Sequence, residues 1–199
     1  MNTQSFTPEP LECALFLVVA LSAAGLIHSA WLRCSCSRPF AHPIDFGRSF
    51  RGRRIFGANK MWRGLMMMPV AAAGVFAGLA YLGDELPGWL ERGMWSQSSA
   101  TYALLGFVSG LAFMLAELPN SFLKRQLDIA PGQAPTRLPL AAMCFVLDRI
   151  DSTLGVLLAL TLLVPVAAQT WLWALLIGTV VHSLFSVLLY ALHVKARPI

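Results

Sequence analysis

At 199 residues the chain is long enough for one domain of ordinary size, yet only 13% of its side chains are charged and 57% are hydrophobic. A soluble domain commonly carries about a quarter Asp, Glu, Lys and Arg, so this composition, with a mean hydropathy of +0.64, excludes a water-soluble exterior and makes lipid the main solvent. The formal net charge of +5 is gathered between long apolar runs.

The first apolar run, Leu11 to Leu32, follows Glu9 and includes Glu12, where a signal peptide would carry a basic n-region. It is also longer than a signal-peptide core, so it is expected to be a retained transmembrane helix. Arg33 to Gly64 then holds eight of the fifteen Lys and Arg residues. Taken as charge alone, that segment orients the chain or attracts anionic headgroups. Two of its features suit a nucleotide better. Gly47, Gly52, Gly57 and Gly64 permit positive φ or close backbone approach, and Asn59, Lys60, Trp62 and Arg63 combine amide, cation and aromatic groups. No GxxxxGK[ST] loop occurs.

The second run is Leu65–Leu82, in which Met66, Met67 and Met68 are apolar filler. The following segment, Gly83–Ser98, sets Arg92 against Asp84, Glu85 and Glu91. The third run, Tyr102–Leu118, ends at Glu117 and Asn120. A second long loop, Pro119–Ser152, carries "SFLKR" (Ser121 to Arg125), Arg137 and "DRID" (Asp148 to Asp151). Leu154–Val194 is too long for one crossing and divides at Pro165 and Gln169-Thr170 into two helices. The expectation is an all-α polytopic membrane protein with about five transmembrane helices and two long cytoplasmic loops. Basic segments alternate with non-basic ones, and Lys195 and Arg197 follow the last helix, so the N-terminus is expected outside and the C-terminus inside. Trp89, Trp95, Trp171 and Trp173 fall near the outer boundaries, where amphipathic rings favour the interface. Cys13, Cys34, Cys36 and Cys144 form no disulfide framework and are taken as spectators.

Asp148 and Asp151 are three residues apart, which puts both carboxylates on one face of a helix. Such a pair suits Mg²⁺, a hard ion that takes few protein oxygens together with phosphate and water. Lys124, Arg125 and Arg149 would supply cations for phosphate. An interfacial charge pair at a helix end is the plainer alternative, and spacing alone leaves both open. His182, with Ser183 and Ser186, is read as a packing residue. No Ser-His-Asp arrangement or HExxH occurs.

"PIDFGRSFRGRRIFGANKMWRG" resembles the first cytoplasmic motif of the CDP-archaeol synthase family, which runs from a fixed Asp to NK-x-WRG. "ELPNSFLKRQLDIAPG" is similar to that family's second motif, and "DRID" resembles the acidic end of the signature of the related bacterial CDP-diacylglycerol synthases. The resemblance spans about Pro43 to His182. It implies one cytidylyltransferase-like domain over residues 1–199, in the cytoplasmic membrane with its loops cytoplasmic. The activity implied is CTP-dependent conversion of a membrane lipid phosphate to a CDP-lipid plus pyrophosphate. It also implies Mg²⁺ on Asp148 and Asp151, catalytic phosphate contacts from Lys60, Arg63, Lys124 and Arg125, and nucleotide- or metal-positioning roles for Asn59, Glu117 and Asn120. Trp62, Ser121, Arg149 and Arg53 would complete the substrate site.

The sequence departs from the bacterial pattern at "DIAPGQAPTR" (Asp128 to Arg137) and from the archaeal one at Arg149, so ester-linked, ether-linked and prenyl phosphates all stay open as substrates. The partners expected are CTP, the lipid phosphate and membrane lipids, with no nucleic acid and with a homodimer left open. The alternatives are a small transporter, a non-catalytic membrane scaffold, or an enzyme acting on polyprenol phosphate.

Overall fold

The computed structural model describes residues 7–191 apart from positions 134 and 136, so Lys195 and Arg197 lie outside the described residues. Five long helices form the bundle: α1 (Pro10–Arg33), α2 (Trp62–Leu82), α4 (Ser99–Gln126), α5 (Leu138–Thr161) and α6 (Ala168–Ala191). A single turn, α3 (Gly88–Glu91), lies between α2 and α4. Local chemistry sets several starts. Pro10 occupies the first turn of α1, where a missing N–H goes unneeded. The Ser98 hydroxyl accepts from the Thr101 N–H at 3.2 Å and caps α4.

Pro10–Arg33, Trp62–Glu85, Ser99–Gln126 and Ala168–Val187 are each long and apolar enough to cross a membrane. α5 is of similar length, but Asp148, Arg149 and Asp151 interrupt its apolar surface near the middle. The chain is thus an all-α membrane protein with about five crossings.

Two helices are longer than their apolar runs. α4 continues through Pro119 to Gln126, and α5 begins at Leu138, so the expected loop Pro119–Ser152 contracts to residues 127–137. Proline removes one ladder hydrogen bond but does not end a helix supported on its sides, and α4 packs between α2 and α5. As a consequence, Glu117, Asn120, Asp148 and Asp151 lie inside helices rather than at their ends. Asp148 stands ten residues into α5, about 15 Å along its axis.

Small residues allow this close packing. A Cβ on Gly106 would fall 2.4 Å from the Ala72 carbonyl oxygen, and one on Gly110 would fall 2.6 Å from that of Met68, so α2 and α4 touch backbone to backbone. On α5, a Cβ at Gly155 would meet that of Ala116 at 2.4 Å.

At the end of the bundle opposite the basic segment, the Phe16 ring packs edge-on against Phe76 at 5.2 Å and Tyr102 at 5.8 Å. Trp95 belongs to this core instead of the lipid interface expected of it. Only 3% exposed, it donates its indole N–H to the Pro165 carbonyl at 2.8 Å, while the Tyr102 hydroxyl donates to the Trp95 carbonyl at 3.0 Å. Trp89 and Trp173 are exposed, as an interfacial ring would be.

The basic segment is more ordered than a connector. A 3-10 helix, Ser35–Phe40, leads it, with Cys34 and Cys36 joined as a disulfide rather than left as separate spectators. Strands β1 (Ser49–Phe50) and β2 (Arg53–Arg54) then pair as a hairpin around Arg51 and Gly52, both at positive φ, the type I′ geometry that suits strand twist.

Replacing Gly106 by Val should drive a side chain into the α2 backbone and destabilise the bundle by about 1–3 kcal/mol. The unfolding midpoint in detergent should fall; an unchanged midpoint would contradict the close α2–α4 approach.

Candidate functional site

The segment before α2 is built around Asp45, whose side chain is fully buried. One carboxylate oxygen accepts from the backbone N–H groups of Phe56 (3.1 Å) and Gly57 (3.0 Å), and the other accepts from that of Gly47 (3.0 Å). Arg54 pairs with the same carboxylate. Burial acts to raise the Asp45 carboxyl, but Arg54 and the three N–H donors outweigh it and hold the group well below the usual carboxylate range. The Ile44 N–H donates to the Lys60 carbonyl at 2.8 Å and the Trp62 N–H to that of His42 at 2.9 Å, which closes the loop onto the start of α2. Gly57, at φ 94°, lies where a Cβ would be 3.2 Å from Pro131 and 3.5 Å from the Arg125 side chain. Loop 34–61 therefore reaches both loop 127–137 and the end of α4.

Beneath it, three helix-borne carboxylates come together. Asn120 Nδ2 donates to Asp148 (2.7 Å) and to Asp151 (3.0 Å), bridging α4 to α5 and confirming that the two aspartates share one face. The Ser152 hydroxyl is placed to donate to Glu117 (3.1 Å) and Asp151 (3.2 Å). Two lysines neutralise the group: Lys124 pairs with Asp148, and Lys60, from the loop, pairs with Glu117. Arg125 differs from both lysines, because its Nε and Nη1 are buried without a hydrogen-bond partner.

These groups line one cavity of about 1250 Å³. At its polar end are Asn59, Lys60, Glu117, Asn120, Ser121, Lys124, Arg125, Asp148, Arg149 and Asp151. It continues between α1, α4, α5 and α6 past Leu17, Leu21, Phe113, Val156 and Leu157. Arg149 is oriented by α6, with its Nε donating to Ser183 at 3.1 Å and its guanidinium 4.0 Å over the Phe145 ring.

Three expected site residues stand outside this lining. Trp62 is partly exposed and packs on Phe46 with ring centres 6.2 Å apart. Arg63 reaches the Leu32 carbonyl of α1 at 3.4 Å. Arg53, paired with Asp128 and the Gln126 carbonyl, fastens the hairpin to the end of α4. Conversely, His28 and Ser29 of α1 line the cavity although nothing in the sequence singled them out. An isolated histidine in an apolar run carries no spacing signal.

The donor set bears on metal binding. Among the described residues no group of three or more His, Cys, Asp or Glu side chains is placed to hold a metal ion. Two adjacent carboxylates are present, and beside them Asn120 Oδ1 is a buried acceptor without a partner. This fits an open oxygen site that phosphate and water would complete, the arrangement Mg²⁺ favours.

The family model "CarS-like: CDP-archaeol synthase" matches residues 34–199. The CDP-archaeol synthase of Pyrobaculum islandicum is 30% identical over 158 residues, covering 79% of this chain and 82% of that relative. That of Methanococcus maripaludis is 26% identical over 159 residues, covering 77% and 80%. A solved intramembrane enzyme of archaeal membrane-lipid biosynthesis superimposes with a TM-score of 0.59 at 20% identity, over 85% of this chain and 89% of that one, and shares the fold. The chain is thus a membrane lipid cytidylyltransferase. The chain is a member of the CDP-archaeol synthase family.

The low Asp45 value fixes a pH dependence. Because it lies below the unfolded value of about 3.9, its stabilisation is fully present above about pH 4 and is lost as pH falls further. Asp45→Asn should lower the unfolding midpoint at pH 7, with a loss of about 1–3 kcal/mol from donors left without an anion. It should also flatten the decline below pH 4; an unaltered pH profile would show that the loop does not depend on this carboxylate.

Proposed function

We propose that the chain transfers the cytidylyl group of CTP to the phosphate of a membrane lipid, releasing pyrophosphate, and that it depends on Mg²⁺. The observation that carries this reading is a single cavity joining a carboxylate–lysine cluster to an apolar channel. A nucleotide triphosphate needs the first and a lipid phosphate needs both.

The lipid phosphate oxygen attacks the α-phosphorus of CTP, a new P–O bond forms, and the bond to the β-phosphate oxygen breaks to release pyrophosphate. Such displacement depends on positioning and charge neutralisation more than on a protein nucleophile. Mg²⁺, when held by Asp148 and Asp151, would neutralise phosphate charge. Asn120 keeps the two carboxylates converged. Lys124, paired with Asp148, and Lys60, paired with Glu117, are placed to exchange those carboxylates for phosphate oxygens, and Arg125 offers an unpaired guanidinium to the pyrophosphate. Asn59 contributes an amide to the nucleotide. Arg63, Trp62 and Arg53 act at the margin of this site, Arg53 by holding the loop. The basic loops are proposed to face the cytoplasm, where CTP is found, with the N-terminus on the other side.

Purified protein incubated with labelled CTP, Mg²⁺ and a lipid phosphate should form CDP-lipid. Asp148→Asn and Asp151→Asn should each lower kcat on the order of 10²-fold or more. Variants that keep both full activity and the original Mg²⁺ dependence would overturn the metal assignment.

A further inference from the structure

α1 gives the cavity one continuous face. Leu17, Leu21, Ser22, Gly25, His28 and Ser29 all line it, at the three- and four-residue spacing of a single helical stripe. The stripe changes character along its length. Leucines occupy the deep end, then small residues, then the imidazole and hydroxyl of His28 and Ser29. From Leu17 to His28 is eleven residues, about 16 Å along the axis.

His28 Nε2 is shielded from solvent and has no hydrogen-bond partner. Its ring lies against Gly64, the last residue of "NKMWRG", where an added Cβ would stand 3.4 Å from Nε2. The absence of a side chain at Gly64 leaves that nitrogen room. His28 and Glu117 line the same cavity, from α1 and α4, so the imidazole sits on the α1 side of the carboxylate cluster. Arg125, Phe56 and Pro131 approach the cavity from the opposite, loop side. A water-borne nucleotide arrives from the loops, whereas a lipid arrives between helices.

We propose that His28 is a substrate-contacting residue whose Nε2 hydrogen-bonds the phosphate of the lipid substrate, and that the α1 stripe below it carries the start of the lipid chain. This rests on the cytidylyltransferase reading, and it divides the cavity into a nucleotide side and a lipid side. α1 lies outside the residues 34–199 matched by the family model, so the assignment belongs to this chain's own geometry.

The test compares His28→Leu and His28→Gln with the wild type, using a dialkylglycerol monophosphate in detergent micelles. Since Nε2 has no partner, removing it should leave the unfolding midpoint near that of the wild type. His28→Leu should raise KM for the lipid phosphate about 10- to 100-fold, as expected for one hydrogen bond to a charged group, with KM for CTP unchanged. His28→Gln, which restores an amide at similar reach, should recover most of the loss. Binding of the same lipid phosphate without CTP should weaken in parallel. Equal lipid affinity in His28→Leu and wild type, or a rise confined to the KM for CTP, overturns the proposal. A wild type that binds lipid phosphate through His28 but forms no CDP-lipid would count against the catalytic reading alone.

Discussion

Glu117, Asp148 and Asp151 are three carboxylates held within helices whose other faces are apolar, and their local neutralisation is the constraint on which the rest depends. An isolated carboxylate in such surroundings would shed its charge or unfold the site. Here Lys124 and Lys60 lie against Asp148 and Glu117, while Asn120 donates to two carboxylates at once. One of these lysines comes from α4 itself, the other from the loop before α2. The loop is thus held partly by the charge it neutralises. Those pairs also hold the side chains of α4, α5 and the loop together at one end of the cavity.

The packing serves this arrangement. α4 carries Glu117, Asn120, Lys124 and Arg125 on one continuous helix because it runs on through Pro119, and it lies close to α2 because Gly106 and Gly110 allow contact between backbones. Asp45 performs a comparable task above the membrane. A single buried carboxylate gathers three N–H groups and Arg54, so the chain from Gly47 to Gly57 folds into a shape that sets Asn59 and Lys60 over the helices. Gly57 then completes the approach to Arg125 and Pro131.

Much of this was legible in the sequence, for physical reasons that can be named. Long apolar runs give the helices, and a spacing of three fixes Asp148 and Asp151 to one face. Clustered cations mark the loop end of the bundle. What escaped depends on tertiary partners. Pro119 and the charges of "DRID" look like boundaries until neighbouring helices are present to support the backbone around them. Trp95 looks interfacial until the Pro165 carbonyl supplies a partner for its indole N–H. Arg53 and Arg54 look alike as charge, yet one fastens to Asp128 and the other to Asp45. His28 gains meaning only because Gly64, far along the chain, leaves space beside it.

The central claim is that this cavity joins the α-phosphate of CTP to a lipid phosphate and expels the other two phosphates together. The most direct measurement uses CTP labelled separately at its α- and γ-phosphates, followed by extraction into organic solvent. The account predicts that α-label appears in the lipid in equal amount to the γ-label released as pyrophosphate. Label from the γ-position entering the lipid, or inorganic phosphate released in place of pyrophosphate, would contradict it.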